Sequence, residues 1–120
     1  MNQSKFSVHC KLSFWSLLLV TLWLSLVPVD QLPSGLDFWD KAQHALGFTA
    51  LAFLGLLAYP GRTSFVIVGL MLFGAGIECA QELSGWRQGD WVDWLADIVG
   101  VLIGSLTLYA SRMLFKMRDR

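Results

Sequence analysis

Charge is scarce in this 120-residue chain. Asp, Glu, Lys and Arg make up 15% of it and cancel to a formal net charge of zero. That balance removes the basic surface on which nucleic-acid binding depends, so nucleic acid is not an expected partner. Cysteine is almost missing, and the wide separation of Cys10 and Cys79 gives neither metal-ligand spacing nor a reason to expect a disulfide. Cys79, among apolar neighbours, reads as a small buried packing residue. Low-complexity tracts and repeats are absent, as are an HExxH pair and a nucleophile-elbow serine. No metal and no other cofactor is therefore expected, and Ser34 and Ser84, in polar connections, read as turn or capping serines.

What the chain does have is apolar length. Its hydrophobic content is 55%, too high for an ordinary soluble fold of this size, and residues 1–120 leave room for a single domain. Four apolar stretches, 13–29, 42–59, 64–83 and 94–114, each have the length that crosses a hydrocarbon core of roughly 30 Å. The first follows Lys5 and Lys11 but leads to no small-x-small cleavage site, so it is expected to be a retained helix. Pro28, Pro33 and Gly35 break the chain after it, Pro60-Gly61-Arg62 forms a hairpin, and the third connection is short and polar. The expected fold is all-α, a four-helix transmembrane bundle.

Lys and Arg set its orientation, because they are retained on the cytoplasmic side. Lys5, Lys11, Arg62, Arg112, Lys116, Arg118 and Arg120 fall on one side, against Lys41 and Arg87 on the other. Both termini are thus expected in the cytoplasm. Trp39, Trp86, Trp91 and Trp94 mark the outer headgroup level, and Trp15 the inner one.

The acids are segregated in the opposite sense, since all but Asp119 lie in the outer connections or the helix ends beside them. Asp40 and His44 are spaced i,i+4, and Glu78, Gln81 and Glu82 share a helix face. Asp90, Asp93 and Asp97 are spaced 3 and 4, and their stripe continues through Gly100 and Gly104, a close-packing GxxxG seam that aims Asp97 into the bundle. An ionisable group inside the hydrocarbon boundary costs a few kcal/mol or more, so His44, Glu78 and Asp97 each call for a partner or a function. Lys41 and Arg87 are the available cations, and Asp97 is expected either to be protonated or to pair with one of them. The polar pocket is accordingly expected to contain Asp40, Lys41, His44, Glu78, Gln81, Arg87, Asp90, Asp93 and Asp97. His44 and Glu78 are its candidates for acid/base catalysis, and Lys41 and Arg87 its candidates for holding an anionic headgroup. A network that only fixes helix packing is the structural alternative.

Three ordered motifs resemble the VanZ-like family of small bacterial membrane proteins: Asp40-Lys41-x-x-His44, Glu78-x-x-Gln81, and Arg87-x-x-Asp90-x-x-Asp93 followed by Ala96-Asp97-x-x-Gly100-x-x-x-Gly104. One departure is Asp97, where the family pattern has Asn. The resemblance implies residence in the bacterial cytoplasmic membrane. It also implies an envelope role, because the founding member is linked to low-level teicoplanin resistance. Expected partners are then membrane lipids, a lipid-linked envelope precursor or an amphiphilic glycopeptide.

Overall fold

The computed structural model describes residues 3–32 and 40–119, the side chains of Gln3 and Asp40 excepted. Pro33, Ser34, Gly35, Asp37 and Trp39 lie outside the described residues, as does the side chain of the expected pocket member Asp40. Four helices follow one another: α1 (Gln3–Leu26), α2 (Asp40–Ala58), α3 (Thr63–Ser84) and α4 (Trp91–Arg118). α3 and α4 run past their expected spans at both ends, and α1 and α2 start before theirs but stop short of the expected ends, at Leu26 and Ala58; polar turns such as Gln3 to Leu12 continue a helix beyond the apolar core.

Local chemistry sets the helix ends. α1 stops before Pro28, whose extended backbone opens a short 3₁₀ turn at Val29–Gln31. Between α2 and α3, the amide of Arg62 donates to the Tyr59 carbonyl at 3.1 Å, with Pro60 and Gly61 at the centre of the turn. Gly61 sits at φ +81°, a conformation open to glycine at little cost. α3 ends on Gly85 at φ +80°, a left-handed C-terminal residue. α4 begins where the Asp90 carboxylate accepts from the Val92 amide and ends with Lys116 and Arg118 in its last turn, both favourable to the helix dipole.

α2 is the centre of the bundle and packs against each of the other helices. Its Phe48, Leu51 and Ala52 are completely buried. The tightest crossing is with α4. There Gly100 lies on the Ala45 carbonyl and Phe48, and Gly104 on the Thr49 carbonyl and Ala52, so that a side chain at either glycine would collide with α2 backbone. This is the expected small-residue seam, and Asp93, Asp97, Gly100 and Gly104 are all buried along it.

The outward faces are apolar. Phe65, Leu72, Leu106 and Leu114 are each 65% or more exposed, which is sustainable only where lipid is the solvent. α1, α3 and α4 are long and apolar enough to cross a membrane, and the chain is a multi-pass membrane protein. α2 falls short by composition because its first turns carry Lys41, Gln43 and His44, and the other three helices shelter it. Cys79 is exposed on the outside of α3, contrary to its expected burial, while Cys10 is buried and both thiols are free. Of Gly69, Gly74 and Gly76 on α3, only Gly74 meets another helix.

Candidate functional site

The start of α2, the end of α3 and the start of α4 meet at one end of the bundle, and each delivers ionisable side chains to the same place. His44 Nδ1 lies 2.8 Å from Asp97 Oδ1 and 3.9 Å from Glu78 Oε1. The second Glu78 oxygen accepts the backbone amide of Asp90 at 2.8 Å, tying α3 to the first turn of α4. Gly89 permits this close approach, for a Cβ there would strike the Glu78 carbonyl. Nearer the surface, Lys41 Nζ is 3.2 Å from Asp90 Oδ2 and 3.1 Å from Asp93 Oδ1. The Asp93 contact is an ion pair by distance but lacks hydrogen-bond alignment, because the same oxygen has no hydrogen-bond partner. Asp93, and after it Asp90, raises the Lys41 pKa above the usual lysine range. Asp90 is held below the usual carboxylate range, first by the Val92 amide and then by Lys41.

Lys41, His44, Glu78, Asp90, Asp93 and Asp97 are thus brought together at one end of the bundle. The pairing within them is not the expected one. The partner of Asp97 is His44, not Lys41 or Arg87, because Asp97 lies one turn deeper than Asp93 on α4 and His44 nearly one turn deeper than Lys41 on α2. Arg87 turns instead toward α1, where Nη1 lies 3.4 Å from the Val27 carbonyl. Beside it Trp86 Nε1 donates to the Leu26 carbonyl at 2.8 Å and Gln81 Nε2 to the Ser25 carbonyl at 2.9 Å. These donors satisfy carbonyls that every helix C-terminus leaves free, and no basic residue occupies the last turn of α1. The end of α1 thus meets Gln81, Trp86 and Arg87 through backbone carbonyls, a role that side-chain spacing in the sequence does not reveal. Ser84 acts as a turn serine: its hydroxyl donates to the Gln81 carbonyl and accepts from the amides of Trp86 and Arg87.

Burial separates the inner groups from the outer ones. Asp97 is 1% exposed, Gln81 2% and Glu78 8%. Glu78 Oε1 and Asp97 Oδ2 are buried without a hydrogen-bond partner among the described residues. Gly74 makes the seat for Asp97 Oδ2, since a Cβ there would come within 2.6 Å of it. Sequence spacing alone gives Gly74 no such role. His44 Nδ1, a Glu78 oxygen and an Asp97 oxygen all lie within 4.8 Å of one another, a geometry that can hold a metal ion although no metal motif is present in the sequence.

Two openings reach this end of the bundle. An apolar crevice of about 150 Å³ between α1 and α2 is lined by Leu17, Val20, Leu24 and Phe48 and closed at its polar end by His44 and Arg87. A polar cleft of about 480 Å³ is lined by Lys41, Gln81, Trp86, Arg87 and Asp93. Arg87 borders both. His44, whose Nδ1 meets Asp97, is thus also a lining residue of the crevice.

The arrangement defines a class: a multi-pass helical membrane protein with a buried His/Glu/Asp cluster at one end of its bundle. Comparison with family models, curated proteins and solved structures gives no match.

Proposed function

We propose that the protein is an intramembrane enzyme acting on the polar headgroup of an envelope lipid or lipid-linked precursor, with His44 and Glu78 as its acid/base pair. The observation that carries this reading is the position of His44, whose Nδ1 is bonded to a buried carboxylate and which also lines an apolar crevice. A buried acid that fixes one imidazole nitrogen orients the ring and supports positive charge on it when the other nitrogen takes a proton. Glu78 Oε1, buried and unpartnered at 3.9 Å, is the second base. Purely structural networks satisfy their buried oxygens, whereas this one leaves the Glu78 Oε1, Asp93 Oδ1 and Asp97 Oδ2 carboxylate oxygens without a hydrogen bond among the described residues.

A lipid substrate follows from the openings. An acyl or prenyl chain suits the α1–α2 crevice, and an anionic headgroup suits the cleft where Lys41 and Arg87 stand. In this reading α2 is the fourth span, both termini are cytoplasmic, and the site faces outward from the bacterial cytoplasmic membrane. The VanZ-like motif order supports that setting and makes amphiphilic glycopeptides such as teicoplanin relevant challenge compounds. Headgroup binding without chemistry is the second reading, favoured by the Lys41 and Arg87 cleft.

The test is a deletion strain complemented with wild type and with His44→Gln, Glu78→Gln and Arg87→Ala, screened against envelope antibiotics including teicoplanin at matched protein abundance. The enzyme reading expects His44→Gln and Glu78→Gln to behave as the deletion. An intact phenotype in both would overturn it, and loss in Arg87→Ala alone would favour binding.

A further inference from the structure

We propose that His44, Glu78 and Asp97 hold a divalent first-row cation, Zn²⁺ or Mn²⁺ in class, between helices α2, α3 and α4. This rests on the cluster of the proposed function and changes the chemistry assigned to it: with a cation bound, His44 and Glu78 would serve as ligands, and a metal-bound water would supply the base.

Each helix contributes one ligand. The donor atoms His44 Nδ1 and Asp97 Oδ1 are 2.8 Å apart, and His44 Nδ1 and Glu78 Oε1 are 3.9 Å apart. A cation bound at roughly 2.0–2.2 Å places neighbouring donors about 3–3.6 Å from one another, so the two His44 separations fit one ion after shifts of a few tenths of an ångström, and the Glu78 and Asp97 oxygens, within 4.8 Å of each other, close on it by side-chain rotation. An independent observation points the same way. Glu78 Oε1 and Asp97 Oδ2 are buried oxygens without a hydrogen-bond donor among the described residues, and both side chains belong to residues more than nine-tenths buried. Glu78 Oε1, one of the three donors, carries at this depth a desolvation cost that a cation removes.

The donor set selects the metal. One imidazole nitrogen with two carboxylates is too nitrogen-rich for a calcium cage and too hard for cuprous ion, and it matches Zn²⁺ or Mn²⁺. Three protein ligands leave at least one coordination position for water or a headgroup oxygen, the pattern of catalytic rather than structural metal sites. The outer shell is also built. The other Glu78 oxygen is fixed by the Asp90 amide, and Gly74 leaves the space that Asp97 fills. Lys41 is engaged by Asp90 and Asp93, which keeps its ammonium with acids outside the trio.

The experiment is metal analysis of the full chain purified in detergent without chelator, followed by EDTA stripping and calorimetric titration with ZnCl₂ or MnCl₂. About one equivalent is expected, with a rise in the thermal unfolding midpoint on loading. Glu78→Gln and Asp97→Asn should each weaken binding more than the roughly 10- to 100-fold typical of changes outside the ligand shell, while Asp119→Asn, at the far end of α4, should leave it unchanged. Failure of wild type to take up either metal overturns the proposal, as does undiminished uptake in both ligand variants. Electron spin-echo spectroscopy of the Mn²⁺-loaded wild type must also show an imidazole nitrogen, a requirement that stands even where a variant fails to fold. These readouts do not depend on the phenotype. A His44-dependent phenotype without metal would leave the acid/base reading and remove this one, and metal without a phenotype would do the reverse.

Discussion

His44 Nδ1 meets Asp97 Oδ1 at 2.8 Å across the crossing of α2 and α4, just above the point where Gly100 rests on the Ala45 carbonyl. The two glycines of α4 bring the helix backbones close, and that closeness sets these short side chains within reach of each other. The pair is nearly excluded from solvent, with side-chain exposures of 9% and 1%.

Removing one member of a buried pair leaves the other without compensation, at a cost of about 3–5 kcal/mol. His44→Leu and Asp97→Leu are therefore each expected to lower stability strongly. The double replacement restores an all-apolar contact and should cost clearly less than the sum. A double-mutant cycle on unfolding in detergent measures this, and simple additivity would mean that the two residues do not act as a pair.

The outer pair titrates differently. Lys41 is raised above its ordinary 10.5 by Asp93 and Asp90, so its contribution is fully present below pH 10.5 and is lost as pH climbs through the raised value. Asp90 is lowered from 3.8, first by the Val92 amide and then by Lys41, so its contribution is present above pH 3.8 and is lost as pH falls through the lowered value. These groups should give a flat unfolding midpoint between those limits and a fall outside them. Asp90→Asn keeps the helix cap and should cost less than Asp90→Ala. Because Lys41 and Asp90 are 31% and 40% exposed, salt should weaken the ion-pair part of the effect. Thermal scans across pH at low and high salt provide the measurement.

Much of this site is legible in the sequence. Spacings of 3, 4, 3 and 4 put Asp90, Asp93, Asp97, Gly100 and Gly104 on one face of α4, and every one of them from Asp93 onward is buried. The spacing of Lys41 and His44 likewise places them beside that face. The exchange of partners is not legible, because periodicity gives the face of a helix but not its height against its neighbour. One turn of relative height decides that Asp97 meets His44 and not Lys41. Cys79 shows the same limit. It directly follows the buried Glu78 and stands 100° further round α3, on the exposed side. The roles of Gln81, Trp86 and Arg87 arise from the open carbonyls of α1, which belong to the backbone and leave no residue pattern.

The membrane orientation has its own test. Seven Lys and Arg residues lie on the side assigned to the cytoplasm and two on the other. A periplasmically active phosphatase fused after Leu83 is expected to be active, and the same fusion after Arg62 inactive. The opposite pattern would place the His44 cluster on the cytoplasmic side and remove envelope precursors outside the membrane as its substrates.

Glycine substitutions in α3 separate the site from general helix stability. Alanine in place of a mid-helix glycine ordinarily stabilises by roughly 0.5–1 kcal/mol. Gly69 and Gly76 have nothing within 4 Å of a Cβ, so Gly69→Ala and Gly76→Ala should be neutral or mildly stabilising. At Gly74 the added carbon would come within 2.6 Å of Asp97 Oδ2 and 3.2 Å of the Trp94 ring. The carboxylate would have to turn away, and in doing so it would lengthen or break the 2.8 Å bond to His44. Gly74→Ala is thus expected to lose stability and His44-dependent function where its two neighbours on the helix lose neither. Unfolding midpoints and complementation of all three variants decide it, and a silent Gly74→Ala would show that the Asp97–His44 contact has more freedom than its burial implies.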